Sequence, residues 1–202
     1  MADDDAATRA PAVVVPAACA VWLALWWLTP GLHARGLGRL VTDDDGTSVL
    51  VESAVALVVL AVLLAAHRDL ARSLVAPSRA CWVYVLPAAL AVALPFHYGL
   101  GLPVGVYMAW MAASVLWQDV LTFGLLQHHV GRRLSTPWAV GVVAVTFWAG
   151  HAWVLPDRFG LDRPVASLAM LALGAVLAVV RARLGTLHVL LALHLAFYLA
   201  FA

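Results

Sequence analysis

Polar side chains of types that can do chemistry interrupt three apolar stretches of this 202-residue chain. Gln118 and Asp119 lie in the middle of the run 104–126, His151 lies near the end of a second run, and His194 lies within a third. An ionisable side chain inside hydrocarbon is costly, so each one is a candidate functional residue. One carboxylate and two imidazoles that converge at the centre of a helix bundle could activate a water molecule or bind a metal ion.

Helical spacing limits how these groups can meet. Adjacent residues on an α-helix point about 100° apart, so Gln118 and Asp119 cannot both face the same point squarely. His194 and Tyr198 are one helical turn apart and share a face. Two other interpretations stay open from the residues alone: the amide–acid pair could simply hydrogen-bond two helices together, and each histidine could be a satisfied core residue.

The composition places the chain in a lipid bilayer. Apolar residues make up 64% of the chain and charged residues 11%, and the mean hydropathy is +0.95. A soluble domain has roughly 45–50% apolar and about 25% charged residues. A soluble enzyme, a nucleic-acid-binding protein and a disordered segment are therefore disfavoured. Glu52 is the only glutamate, so a mechanism that needs glutamate must use Glu52 or a substitute.

Seven apolar stretches predict an all-α, polytopic transmembrane bundle of about seven helices, with six to eight as the range. They are 12–29, 49–66, 82–95, 104–126, 138–155, 165–180 and 186–202. The stretches 82–95 and 165–180 are short for a full span, so we expect them to be tilted, extended by flanking residues or re-entrant. With no repeat or linker, residues 1–202 are expected to form a single integral membrane domain.

The arginines predict the orientation in the membrane. With seven spans, eight arginines fall on the side of the N-terminus and four on the other side. The first group is Arg9, Arg68, Arg72, Arg79, Arg132, Arg133, Arg181 and Arg183, and the second is Arg35, Arg39, Arg158 and Arg163. The positive-inside rule then predicts a cytoplasmic N-terminus in a multi-pass protein, with the plasma membrane as the expected location. Residues 1–11 lack the basic n-region of a cleaved signal peptide, so the first stretch is expected to remain a span.

Three segments, in this order, resemble the motifs of the CPBP intramembrane proteases, also called ABI or CAAX-protease-like proteins. The family's first motif is a diacidic pair, two further residues and Phe-Arg-Gly, followed by Leu-Leu-Gln, and residues 118–127 are similar to it. The second, Phe-x-x-x-His, is matched by Phe147 and His151. The third, His-x-x-x-Asn, is met by His194 and Tyr198. The resemblance covers about residues 104–202, which would form the catalytic core.

The resemblance implies an intramembrane endopeptidase that cleaves a membrane-associated peptide or protein. In the family, the first glutamate and the second-motif histidine activate a water, while the third-motif histidine and asparagine hold the oxyanion. Carried over, this implies that Asp119 and His151 activate the water. It also implies that His194 and Tyr198 bind the oxyanion, and that Gln118 orients the water or the substrate carbonyl. The expected partners are membrane lipids and the peptide substrate, with no nucleic acid.

Three departures from the family pattern support an alternative. Gln118 replaces the leading glutamate, and a primary amide cannot act as a general base. Phe123 replaces the motif arginine, and Tyr198 replaces the asparagine, although its hydroxyl can still donate a hydrogen bond. The alternative is a catalytically inactive family member that acts as a membrane scaffold, immunity factor or adaptor.

No cofactor is expected, but a zinc site is a weaker alternative. Asp119, His151 and His194 would supply two imidazoles and one carboxylate, a set that suits zinc with an open position. The chain has no His-Glu-x-x-His sequence, and the three residues lie on separate helices. A proton or ion pathway is a further alternative, although the repeats or broken helices typical of transporters are not seen.

Other polar residues are expected to be structural. Glu52 is predicted to lie at the membrane interface, where it would favour a helix N-terminus. The histidines in or near loops, His33, His67 and His97, are expected to be solvated. His128 and His129, beside Arg132 and Arg133, are expected at the cytoplasmic interface with no chemistry.

Overall fold

The structure, a computed structural model, describes residues 13–33 and 36–202. The predictions for residues 1–11 and for Arg35 lie outside the described residues. Within the described ranges the chain forms nine helices and no β-strand. They are α1 (Val14–Trp26), α2 (Asp45–Ala66), α3 (Arg68–Val75), α4 (Arg79–Phe96), α5 (Val104–Gly131), α6 (Thr136–Val154), α7 (Pro156–Phe159), α8 (Pro164–Leu184) and α9 (His188–Ala200), with a 3-10 turn at Leu37–Leu40. The all-α prediction is confirmed.

Five of these helices, α2, α4, α5, α6 and α8, are long and apolar enough to cross a membrane. The stretches 82–95 and 165–180 are extended by flanking residues. Short 3-10 turns lengthen α4 to 18 residues, and α8 continues past Arg181 and Arg183 to reach 21 residues. The shortest apolar helices are the first and the last, with 13 residues each, below the roughly 20 residues of a full span.

Helix α5 is the central helix of the bundle. Of its most apolar 18-residue window, 78% is buried, against at most 39% in the other four long helices. It packs against α2 and α9, and α1 lies against its second half, while α6 and α8 pack extensively on each other. Polar groups in the middle of α5 are therefore shielded from lipid by the surrounding helices.

The outer surface of the long helices is apolar. Large side chains such as Val58 and Val62 of α2, Val92 of α4 and Leu168 and Val176 of α8 are exposed. A soluble monomer rarely exposes apolar patches beyond a few hundred Å², whereas acyl chains solvate such a surface well. The chain is therefore a multi-pass membrane protein.

Connections predicted to share one side of the membrane meet in the structure. The N–H of Leu187, between α8 and α9, donates to the carbonyl of Leu74 in α3 at 3.3 Å. His67, after α2, contacts His129 near the end of α5. At the opposite end of the bundle, the indole of Trp110 donates to the carbonyl of Pro30 at 2.8 Å. These contacts join connections at two opposite ends of the bundle.

Glu52 is buried within α2, so the prediction that it favours a helix N-terminus is wrong. The helix begins almost two turns earlier and is capped by Asp44, whose carboxylate accepts the N–H of Thr47 at 2.8 Å. Hydrogen bonds from Thr47 hold the pKa of Asp44 below its ordinary value. Glu52 instead accepts the backbone N–H groups of Gly31 at 2.7 Å and Gly38 at 3.2 Å. It fixes the loop between α1 and α2.

The loop histidines differ in exposure. His97 is exposed, as expected for a solvated residue, although its ring contacts the carbonyl of Leu199 at 3.0 Å. His33 and His67 are half-buried, which corrects the expectation for both. His33 packs on the indole of Trp27 with ring centroids 4.0 Å apart.

Candidate active site

A buried carboxylate–imidazole pair joins α5 to α9. Asp119 Oδ1 and His194 Nδ1 are 3.0 Å apart; the Asp119 side chain is fully buried, and that of His194 is 16% exposed. The second carboxylate oxygen, Oδ2, is buried and has no hydrogen-bond partner among the described residues. One oxygen of Asp119 is therefore committed to His194, while the other keeps its capacity to accept a hydrogen bond.

The hydrogen-bond partners fix which ring nitrogen of each histidine carries its proton. His194 Nδ1 faces a carboxylate oxygen, and His151 Nδ1 lies 2.8 Å from the carbonyl oxygen of Phe147. Carboxylates and carbonyls only accept hydrogen bonds, so both Nδ1 atoms donate. In the neutral ring each Nε2 then carries a lone pair and can accept a proton. A buried acid at Nδ1 also stabilises the imidazolium that forms when Nε2 is protonated.

Tyr198 and Gln118 add hydrogen-bond donors next to this pair. The ring of Tyr198 stacks on that of His194 with centroids 5.2 Å apart, as the four-residue spacing predicts. The Tyr198 hydroxyl interacts with the side chain of Gln118, whose amide donates to the hydroxyl of Ser114 at 2.9 Å. The fixed amide and phenol can stabilise negative charge that develops near the pair.

His151 reaches the same region from α6 inside an aromatic enclosure. Its ring lies 4.4 Å from that of Phe147, which confirms that these two residues share a helix face. Trp26 of α1 and Phe159 of α7 lie against the ring at 5.0 and 5.8 Å between centroids. The imidazole is buried, and it interacts electrostatically with His194.

The structure therefore brings most of the predicted site together, with one different pairing. Asp119, His194, Gln118 and Tyr198 form one polar group, whereas His151 contacts Phe147, Trp26 and Phe159. The carboxylate bonds to the third-motif histidine, His194, whereas His151 uses Nδ1 to bond its own helix. The sequence could not distinguish these pairings, because they depend on how α5, α6 and α9 are rotated about their axes.

The backbone of α5 widens immediately after Asp119. Residues Val120–Leu126 wind as a π-helix, and all seven are buried. Such π segments are rare and occur frequently at functional sites. Within this segment Thr122 accepts a hydrogen bond from the indole of Trp22 in α1 at 3.1 Å. Sequence analysis missed both features, since an apolar π segment has the same composition as an α-helix.

Phe123 stands at the position where the motif that the chain resembles has an arginine. Its side chain is fully buried, and its ring lies 5.5 Å from that of Phe147. An apolar contact between α5 and α6 thus occupies this position, which leaves Asp119 as the charged group of the motif.

The arrangement suits proton transfer better than metal binding. No group of three or more His, Cys, Asp or Glu side chains in the described part of the chain is placed to hold a metal ion. Two of the three residues of the zinc alternative, Asp119 and His194, hydrogen-bond directly to each other.

Comparisons of the chain with protein-family models, curated proteins and solved structures found no match.

Proposed function

We propose that the protein is an intramembrane endopeptidase of the CPBP, or CAAX-protease-like, type that activates water with the Asp119–His194 pair. The observation that supports this most is the 3.0 Å contact of a fully buried carboxylate with an imidazole. The pair joins the central helix to α9, where neighbouring helices exclude lipid. A buried carboxylate that leaves one oxygen without a partner among the described residues lowers stability, so its chemistry is the better explanation for its presence.

In the proposed reaction His194 is the general base. Its Nε2 takes a proton from a water molecule as the oxygen of that water attacks the scissile carbonyl carbon. Asp119 holds the Nδ1 proton and stabilises the imidazolium. When the tetrahedral intermediate collapses, the C–N bond breaks and the imidazolium returns the proton to the leaving amine. This scheme gives His194 the role that the resemblance assigned to His151.

The developing oxyanion needs hydrogen-bond donors, and two side chains next to the pair can supply them. The Gln118 amide has a second N–H beyond the one bonded to Ser114, and Tyr198 carries a phenolic O–H. In a water-poor site one such donor is worth about 10²–10³ in rate. His151, with its Nε2 lone pair, would hold a second water or accept a hydrogen bond from the substrate backbone.

The substrate is a peptide that reaches the site from the bilayer. The apolar outer surface and the buried position of the pair support a membrane-associated peptide or protein as partner, with lipid as the solvent. Arginine counts support a cytoplasmic N-terminus, and the plasma membrane is the location that we propose.

Peptide cleavage in lipid nanodiscs tests this proposal. We would offer two probes, a quenched farnesylated C-terminal peptide and a set of transmembrane-segment peptides, and follow cleavage by fluorescence and mass spectrometry. We expect Asp119→Asn and His194→Gln to lower cleavage at least about 10²-fold. His97→Gln, at an exposed loop position, is the matched control and should cleave like the parent. An uncleaved set of probes, or variants as active as the parent, would contradict the proposal.

One observation favours the inactive alternative as a second candidate. Gln118 stands where the family has its leading glutamate, and its amide donates to the hydroxyl of Ser114 in the same helix. On this hypothesis the bundle is a membrane scaffold, immunity factor or adaptor. If the parent protein cleaves none of the peptide probes and the Gln118→Glu variant does cleave them, this alternative is supported over the peptidase.

A further inference from the structure

An apolar groove against α5 ends at a pair of histidines. It lies between α1, α2 and α5 and encloses about 360 Å³, within the range of roughly 300–1,000 Å³ that small-molecule sites occupy. Ten of its twelve lining residues are apolar, among them Leu63, Leu121 and Leu125. The other two are His67 and His129. The groove therefore offers a long apolar wall and one polar end.

The two imidazoles at this end are in direct contact. Their Nε2 atoms are 3.3 Å apart, and His67 Nδ1 donates to the carbonyl of Leu63 at 2.8 Å. Because His67 carries its proton on Nδ1, its neutral Nε2 is an acceptor, and the proton between the rings belongs to His129. One further proton, placed on His67 Nε2, replaces the hydrogen bond between the rings, and each ring can then donate its Nε2–H to a carboxylate.

The surroundings of the pair are positively charged. Arg68 follows His67 directly, and the guanidinium of Arg132 acts electrostatically on His129. Asp69, the acidic side chain in the adjacent helix α3, is exposed and faces Arg72 at 3.9 Å. An anionic head group would thus meet complementary charge at the histidine end.

We propose that the groove binds a free long-chain fatty acid, with the alkyl chain along the apolar wall and the carboxylate on His67 and His129. The carboxylic acid O–H gives its proton to His67 Nε2 as the hydrogen bond between the rings breaks, so the acid becomes a carboxylate and the pair becomes cationic, with one Nε2–H on each ring. Two carboxylate oxygens match two imidazole donors. The cavity has the size for one chain, which favours a single-chain acid over a two-chain phospholipid. This site uses none of the residues of the proposed peptidase chemistry.

Titration of purified protein with [1-¹³C]oleic acid in nanodiscs of phosphatidylcholine tests the proposal. We expect saturable binding of one equivalent and a carboxyl resonance displaced from that of free oleate in the bilayer. The double variant His67→Gln/His129→Gln should bind at least tenfold more weakly. Val21→Trp, at an exposed position on the groove wall, should block the chain site while the helical content stays unchanged. His97→Gln and Asp119→Asn should bind oleate like the parent.

Several results would overturn this inference. They are binding that does not saturate, equal binding by the double histidine variant, and displacement of oleate by methyl oleate as effectively as by unlabelled oleate. Displacement by phosphatidylglycerol at equal concentration would show that the head group is a phosphate and would overturn it as well. Because Asp119→Asn is tested in parallel, failure here is distinguishable from failure of the peptidase proposal.

Discussion

The two buried carboxylates of the bundle, Glu52 in α2 and Asp119 in α5, have different partners. Glu52 accepts the backbone N–H groups of Gly31 and Gly38, one through each oxygen. Asp119 bonds the imidazole of His194 through one oxygen and keeps the other without a partner among the described residues. Backbone N–H groups do not exchange protons with a carboxylate, so a carboxylate that they satisfy can only hold the loop in place. A carboxylate paired with an imidazole can help to move a proton.

The surroundings of the two acids reinforce this difference. Glu52 borders a cavity of about 330 Å³ at one end of the bundle, lined also by His33 and Trp27. Asp119 is enclosed at the middle of the central helix. The only glutamate of the chain therefore holds a loop in place, whereas an aspartate pairs with an imidazole.

The largest expected change in stability comes from breaking the Asp119–His194 pair on one side only. His194→Leu leaves a buried carboxylate without its partner, so we expect the free energy of unfolding to fall by about 3–5 kcal/mol. Reversible unfolding in mixed micelles measures this. The double variant His194→Leu/Asp119→Asn removes the charge too and should recover part of the loss. Equal stability of the single and double variants would show that the pair is not coupled.

Removal of the Glu52 carboxylate should have a smaller and more local effect. Hydrogen bonds to a charged acceptor contribute about 1.5–3 kcal/mol, and in Glu52→Ala we expect about 2–3 kcal/mol because solvent at the loop replaces part of the interaction. Hydrogen exchange of the Gly31 and Gly38 amides should accelerate, whereas Asp119→Asn should leave these two amides protected. If Glu52→Ala abolished peptide cleavage with its helices intact, the division between the two acids would be wrong.

A glycine contact tests how closely α1 is held against the site. A Cβ added at Gly150, next to His151, would lie 2.7 Å from Cη2 of Trp22 and 3.0 Å from Nε1 of Trp26. Overpacking of this kind costs about 1–3 kcal/mol, so Gly150→Ala should lower the midpoint of thermal unfolding. Gly141→Ala in the same helix is the matched control, because its Cβ would meet nothing within 4 Å. That control should stabilise α6 by about 0.5–1 kcal/mol.

The smallest effect concerns pH at the Glu52 end. Burial lowers the pKa of His33 below its ordinary value, although the charge of Glu52 opposes the shift. Because the folded loop disfavours the protonated form of His33, the loop is fully stable above about pH 6.5. This stability is lost as the pH falls towards the folded-state pKa of His33. Exchange of the Gly31 amide, corrected for intrinsic rates, should become faster as the pH falls from about 7 to about 5. His33→Gln should flatten this profile; an unchanged profile would contradict it.

Much of the bundle was predictable because hydrophobic length alone decides a helix in lipid. Every apolar stretch became a helix, and Phe147–His151 and His194–Tyr198 meet as their spacing requires. The helix ends were less predictable: α8 runs on through its arginines, because long cationic side chains at a helix end can reach the interface.

The sequence by itself determined an apolar, all-helical chain with one acid and two imidazoles at set positions, since composition and helical periodicity depend only on the order of residues along the chain. Tertiary structure alone decided the partners. It paired Asp119 with His194, opened a π segment after that acid, and turned Glu52 inward to the loop glycines. These outcomes depend on the rotation and packing of helices distant in sequence, and there a small change in angle selects a different hydrogen bond.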